Sequence, residues 1–316
     1  MRIIIIISML LTAAVSYAKP NIYVSILPQK TFVKEIAGDR ANVNVMVMPG
    51  ASPATYEPKP KQMAQLSETD IYFSIGVPFE RVWLDKFASI NKNMKIVHTD
   101  EGIKKRTVEK HVHHDEEGED HDEHGEEQGH DDHDDHDKHA EHDDHDHEGE
   151  HDDHDGIKDP HVWLDPILVI KQVEIITEEL CKADKDSCGF YTENKNKFIQ
   201  NAELLDAELH KIFKGKDDVH FMVFHPSWGY FADRYGLHQI PVELEGKEPK
   251  PADLKKFVDT VKKLKLNSIF IQPQFSKKAA ELIADETGAK VIAVDPLAED
   301  WHDNLVYAAK LIAGTL

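Results

Sequence analysis

Short β-rich apolar runs alternate with stretches of helical period along most of this chain. Residues 22–27, 43–48, 71–75 and 95–97 read as strands, and 30–37, 61–69 and 79–89 read as the helices between them. Further on, 166–183 and 185–214 keep a helical period. Strand-like 219–224, 268–272 and 290–294 then alternate with helices starting at Ser227, Ser276 and Asp303. Strands alternating with helices predict an α/β fold with parallel sheets. A helix over 185–214 is about 45 Å long, more than the width of one small lobe. It therefore reads as a rigid backbone helix joining two lobes, each a small parallel sheet flanked by helices. The alternative, one continuous sheet crossed by the helix, is the less economical arrangement. The expected divisions are 19–184 for the N-terminal lobe, 185–214 for the connecting helix and 215–316 for the C-terminal lobe. A ligand is expected in the cleft between the lobes.

One segment breaks the pattern. Residues 111–155 contain 14 of the protein's 21 histidines and almost nothing apolar, so no core offsets the entropy of ordering them. A mobile loop is expected there. The whole net charge of −22 arises in this region: residues 113–155 hold 23 acidic side chains and one basic one, and the rest of the 316-residue chain is neutral. A neutral body lacks the basic excess that phosphate contacts need, which excludes nucleic acid as a partner. Imidazole favours zinc, copper and nickel, and carboxylates add charge and oxygen ligands. His113, His114, His121, His124, His130, His133, His136, His139, His142, His145, His147, His151 and His154 are therefore expected to form accessory metal sites.

The N-terminus reads as a secretory signal over 1–18. Arg2 precedes an apolar run over 3–15, and Ser16-Tyr17-Ala18 supplies small residues for cleavage. No cysteine follows the run to accept a lipid, so a periplasmic protein without a lipid anchor, starting near Lys19, is expected. The only cysteines, Cys181 and Cys188, are expected to form a disulfide in that oxidising compartment.

Three residues outside the loop are candidate ligands for an ordered metal. His225 and Asp295 each end an apolar strand-like run and are followed by proline, which places them at the carboxyl edge of a parallel sheet. His161 lies where the histidine-rich segment rejoins the body. Trp163 and Trp228 sit beside these ligands and are expected to shield the cleft from water. Gln272 and Gln274 end another strand at the same edge. His98, His210, His220, His238 and His302 have no motif around them and read as surface or satisfied core residues.

The segments GASPATYEP at 50–58, DPHVWLDP at 159–166, FHPSWGYFADRYGL at 224–237 and VDPLAED at 294–300 resemble the zinc and manganese solute-binding proteins of bacterial ABC importers (cluster A-I). The histidine-rich insert before DPHVWLDP is typical of the zinc members, the ZnuA type. The resemblance implies two α/β lobes, one rigid helix and one metal ion between the lobes. It implies His161 as the ligand from the first lobe, with His225 and Asp295 from the second. The family's remaining ligand is usually a histidine in the first of these segments, where this chain has Ala54. Three protein ligands leave a tetrahedral ion one position for water or a loop histidine; Glu57 lies too far round the turn.

The expected function is capture of Zn²⁺ outside the cytoplasm by a monomer, and delivery to an inner-membrane ABC permease. A periplasmic zinc chaperone is a second candidate partner. A manganese or iron carrier of the same family, a zinc buffer and a zinc hydrolase are the alternatives. No H-E-x-x-H arrangement or evident general base accompanies the ligands, so no catalytic residue is assigned and a non-enzyme is expected. Imidazoles titrate near pH ~6.5, so acid both charges the loop and removes its ligands. A peptide spanning 111–155 is expected to bind zinc at about pH 7.5 and to lose that binding at about pH 5.5, measured by calorimetric titration.

Overall fold

A computed structural model of the protein describes residues 19–108, 157–216, 218–243 and 249–314. The signal expected over 1–18 and the histidines expected to bind metal within 111–155 lie outside the described residues.

The chain enters through β1 (Asn21–Val24), α1 (Leu27–Ala37) and β2 (Asn42–Val45), and continues through α2 (Pro60–Leu66), β3 (Ile71–Ser74), α3 (Glu80–Ile90) and β4 (Lys95–His98). The four strands form one parallel sheet in the order β2-β1-β3-β4. Its central strands are covered on both faces: Ile22, Val24, Tyr72 and Phe73 are fully buried. On the edge strand β2, residues Asn42 and Asn44 are exposed while Val43 and Val45 turn inward, the alternation expected of a half-covered strand.

Helix α4 (Pro166–Ala183) follows, and Asp165 caps it by accepting from the backbone N–H groups of Ile167 and Leu168. The long helix α5 spans Cys188–Phe213, 26 residues, or about 39 Å. It is shorter than the expected 185–214 because a turn intervenes: the Asp184 carboxylate accepts from the Ser187 N–H and the Tyr191 hydroxyl. The Cys181–Cys188 disulfide clamps this turn and ties the end of α4 to the start of α5.

The second half runs β5 (Val219–Val223), α6 (Gly229–Tyr235), β6 (Leu237–Pro241), α7 (Pro251–Leu264), β7 (Ser268–Ile271), α8 (Lys278–Thr287), β8 (Lys290–Ala293) and α9 (Trp301–Ile312). Its sheet is also fully parallel, in the order β6-β5-β7-β8. Apolar periodicity marks neither β6 nor α7 in the sequence. Strand β6, Leu-His-Gln-Ile-Pro, carries two polar residues and ends in Pro241, a composition tolerated because it is the sheet edge. In α7 the apolar positions Leu254, Phe257, Val258 and Val261 keep helical spacing but are diluted by charged neighbours. Its buried stripe packs beside α8 over the second sheet.

Helix α5 packs against α1, α4, α6 and α9. One continuous core joins Ile22, Phe32 and Phe73 of the first sheet region to Leu205 and Leu209 of α5, and to Phe221, Phe270 and Trp301 of the second. The two lobes are thus fused through α5 rather than hung on a flexible link. No helix among the described residues is long and apolar enough to cross a membrane.

One buried carboxylate stands inside the first lobe. Glu80 accepts from the Ser25 hydroxyl and from the backbone N–H groups of Ile75 and Gly76. Burial pushes its pKa from the ordinary 4.5 up to about 7 despite these bonds. The folded protein therefore holds a proton there that the unfolded chain has already released, so stability falls as pH rises from about 4.5 to about 7. The loss is up to about 3 kcal/mol. Glu80→Gln is expected to remove this component from the pH profile of urea unfolding between about pH 5 and 7.

Candidate metal centre

The segment before α4 reaches its position because both ends of the histidine-rich insert are stitched together. Thr107 and Lys158 form an antiparallel bridge, Val108 N–H donates to Ile157, and Asp159 N–H donates to Arg106. Two residues on, His161 starts the short 3-10 turn Val162–Leu164. His225 leaves the carboxyl end of β5, and Asp295 lies two residues past the end of β8. Parallel strands place both at one edge of the second sheet, the usual ligand edge of such sheets.

The structure brings the two imidazoles together, with ring centroids 5.3 Å apart. Each is oriented by its own carboxylate. His161 Nδ1–H donates to Asp159 Oδ1 at 2.6 Å, and His225 Nδ1–H donates to Glu243 Oε2 at 2.8 Å. Carboxylates held as acceptors fix the proton on Nδ1, which leaves the Nε2 lone pair of each ring for a metal. Burial holds His161 below its usual pKa, against the opposing pull of Asp159. Asp159 is itself fully buried; desolvation raises its pKa, but His161 and Arg106 outweigh that and leave it below the ordinary carboxylate value. Neutral imidazole beside ionised carboxylate is the state that binds a cation.

Asp295 is placed differently. Its Oδ1 accepts from the Gln274 side chain at 2.8 Å and from the Leu297 N–H at 2.9 Å. It does not join the two imidazoles in a tight trio. Among the described residues, the one set of three His, Cys, Asp or Glu whose ligand atoms all lie within 4.8 Å is Asp218, His220 and His238. Ala54 lies on an exposed turn where its N–H donates to the Ser52 hydroxyl, and Glu57 is exposed beyond that turn.

The surroundings are apolar and fixed. Trp163 and Trp228 are almost completely buried, and the Trp163 ring lies 5.1 Å from that of His161. The Phe275 ring stacks on His225 at 5.0 Å. Gln272 holds the His225 backbone from both sides, its amide oxygen accepting from the N–H and its amide nitrogen donating to the carbonyl.

The family described as zinc-uptake complex component A, periplasmic (ZnuA) matches residues 22–313. This chain belongs to that family. It is similar to the high-affinity zinc uptake system protein ZnuA of Bacillus subtilis, 29% identical over 281 residues, which cover 88% of this chain and 79% of that one. It is 28% identical to the zinc-binding lipoprotein AdcA of Streptococcus pneumoniae serotype 4 over 88% of its own length, and spans about half of that protein. A crystal structure of ZnuA superposes with a TM-score of 0.79 at 38% identity, covering 94% of this chain and 99% of that one.

Several residues of the site went unassigned in the sequence. Glu243 follows β6, and with that strand unread the carboxylate had no sheet edge to sit on. Asp159 stood in a proline turn without a visible role. Arg106 is far from both in sequence, yet it lies against Asp159, 3.4 Å away, and Asp233, and its backbone N–H donates to the Tyr230 hydroxyl. The guanidinium crosses directly over Gly229, where an added Cβ would stand 1.4 Å from Nη1 and 3.0 Å from Asp159 Oδ2. Gly229→Ala is expected to push the guanidinium off Asp159, leaving the buried carboxylate without its cation. The expected cost is about 2–3 kcal/mol in urea unfolding, with a weaker zinc titration because His161 loses a fixed partner.

Proposed function

We propose that this chain is the extracytoplasmic zinc-binding component of an ABC zinc importer, holding Zn²⁺ between His161 and His225 and passing it to a membrane permease. The observation that carries this reading is the pair of carboxylate-held imidazoles facing each other 5.3 Å apart, one from each half of the chain. Their placement supports an ion bound through two Nε2 atoms, with Asp295 completing the protein ligands from the end of β8, one strand beyond β7. The Asp295 bonds described above both fall on Oδ1, which leaves Oδ2 to turn toward the cation. Water or a histidine of the 111–155 segment takes the position that Ala54 does not supply.

Donor chemistry favours zinc. Two imidazoles and one carboxylate suit a borderline cation, whereas manganese is better served by a set richer in oxygen. Membership of the zinc-uptake family and similarity to zinc-binding relatives in Bacillus subtilis and Streptococcus pneumoniae point the same way. The fused core supports a carrier whose lobes move little, so that release of the ion depends on the partner rather than on spontaneous opening. The antiparallel bridge at the base of the histidine-rich insert keeps its root two to three residues from His161, so weak sites on the insert act at a high effective concentration near the cleft.

Chelator competition on the full chain tests the reading, with tryptophan emission as a local readout because Trp163 adjoins His161. Glu243→Gln is expected to weaken the tightest zinc site by about 10- to 100-fold, and His225→Ala by more. A deletion strain carrying either His161→Ala or His225→Ala is expected to fail to grow under zinc chelation. Unchanged affinity in both alanine variants would overturn the proposal.

A further inference from the structure

The opposite end of the second sheet carries a second group of metal-type side chains. Strand pairing sets His220 of β5 directly beside His238 of β6. Matched positions on adjacent strands share a face, with the strands ~4.8 Å apart. Asp218 stands just before β5, and its carboxylate reaches both imidazoles. The two rings stack, with centroids 4.6 Å apart and planes 24° from parallel. Asp218 Oδ1 lies 3.3 Å from His238 Nε2 and 3.7 Å from His220 Nδ1. The Asp218 backbone adopts the left-handed region with φ of 59°, and its carbonyl accepts from His220 Nδ1 at 3.0 Å.

We propose that Asp218, His220 and His238 form a surface site for a divalent transition-metal cation of the zinc, copper or nickel class, separate from the pair at His161 and His225. Two donors on one tetrahedral zinc, each 2.0–2.1 Å from the ion, stand roughly 3.3–3.4 Å apart. The Asp218–His238 separation of 3.3 Å already has that value. Two imidazoles and one carboxylate are a complete three-ligand set for such an ion, with water filling the remaining position. Binding through His220 Nδ1 displaces the proton it now gives to the Asp218 carbonyl, so the ion takes the place of a hydrogen bond already made.

Access and location define the site's character. The Asp218 and His238 side chains are 76% and 57% exposed, so an ion enters without any movement of the fold. Open access and a water ligand predict an exchangeable site, weaker than one enclosed between lobes. His225 is five residues further along the chain from His220, about 16 Å away at ~3.3 Å per residue of strand. An ion at this edge therefore contacts neither cleft imidazole, and the inference stands whatever the cleft binds.

Residue-resolved carbethoxylation of the full chain by diethyl pyrocarbonate, read by peptide mass spectrometry with and without ZnCl₂, tests the site. Zinc is expected to slow modification of His220 and His238 severalfold while leaving the exposed His302 unchanged. Asp218→Asn, at an exposed position that no core contact depends on, is expected to move the protecting zinc concentration upward by at least about tenfold, the loss expected even of an outer-sphere partner. Protection of His161 and His225 in the same samples reports the cleft independently. Equal reactivity of His220 and His238 with and without ZnCl₂, or an unchanged midpoint in Asp218→Asn, would overturn the proposal.

Discussion

Two indole N–H groups hold the ligand-bearing segments of this protein in register. Trp163 donates to the Pro296 carbonyl at 2.7 Å, and Trp301 donates to the Trp163 carbonyl at 2.7 Å. The first tryptophan is two residues from His161, and the proline it reaches directly follows Asp295. Trp301 then buries its ring edge-on to Phe32 of α1 and stacked over Phe198 of α5. A buried N–H left without an acceptor costs about 1–3 kcal/mol. Sliding one half past the other would strand both donors and break the aromatic cluster together. At the rim, Thr31 donates to the Glu299 carbonyl and Lys30 pairs with the Glu299 side chain at 2.8 Å. This junction ties the segment carrying His161 to the one carrying Asp295.

Within that frame the imidazoles are prepared in the same way from different parts of the chain. Asp159 is a near neighbour of His161 in sequence, whereas Glu243 comes to His225 from the far end of an adjacent strand. Both hold Nδ1 and leave Nε2 without a carboxylate partner. The cost of burying Asp159 is offset by Arg106, whose guanidinium fits only because residue 229 has no side chain. A glycine in α6 thus bears on a histidine 68 positions earlier through one arginine and one carboxylate.

The second sheet separates two chemistries by strand direction. All four strands are parallel, so their carboxyl ends carry His225 and Asp295 at one edge, while Asp218, His220 and His238 gather at the amino ends of β5 and β6. At the first, Phe275 stacks on His225 and Trp163 lies against the facing His161. The second is open on the side away from the sheet. His220 is as shaded as His225, at 24% against 23% exposure, and the second set is open through Asp218 and His238.

Periodicity alone determined the α/β class, the long helix and seven of the eight strands of the two sheets, because apolar runs bounded by turns leave few other arrangements. It also placed His225 and Asp295 at a strand end, since a strand's direction is written in the order of its residues. The place of His161 where the histidine-rich segment rejoins the body singled it out, and motif likeness gave it a role. The edge strand β6 was not legible, because an edge position relaxes the demand for apolar residues and permits His238, Gln239 and Pro241. With it went Glu243, and with it also the pairing that puts His220 beside His238. Which imidazole meets which carboxylate, which arginine lies over which glycine, and where Asp295 stands relative to the two rings were decided by tertiary packing. Those contacts join residues far apart in the chain, and no local pattern encodes a distance between them.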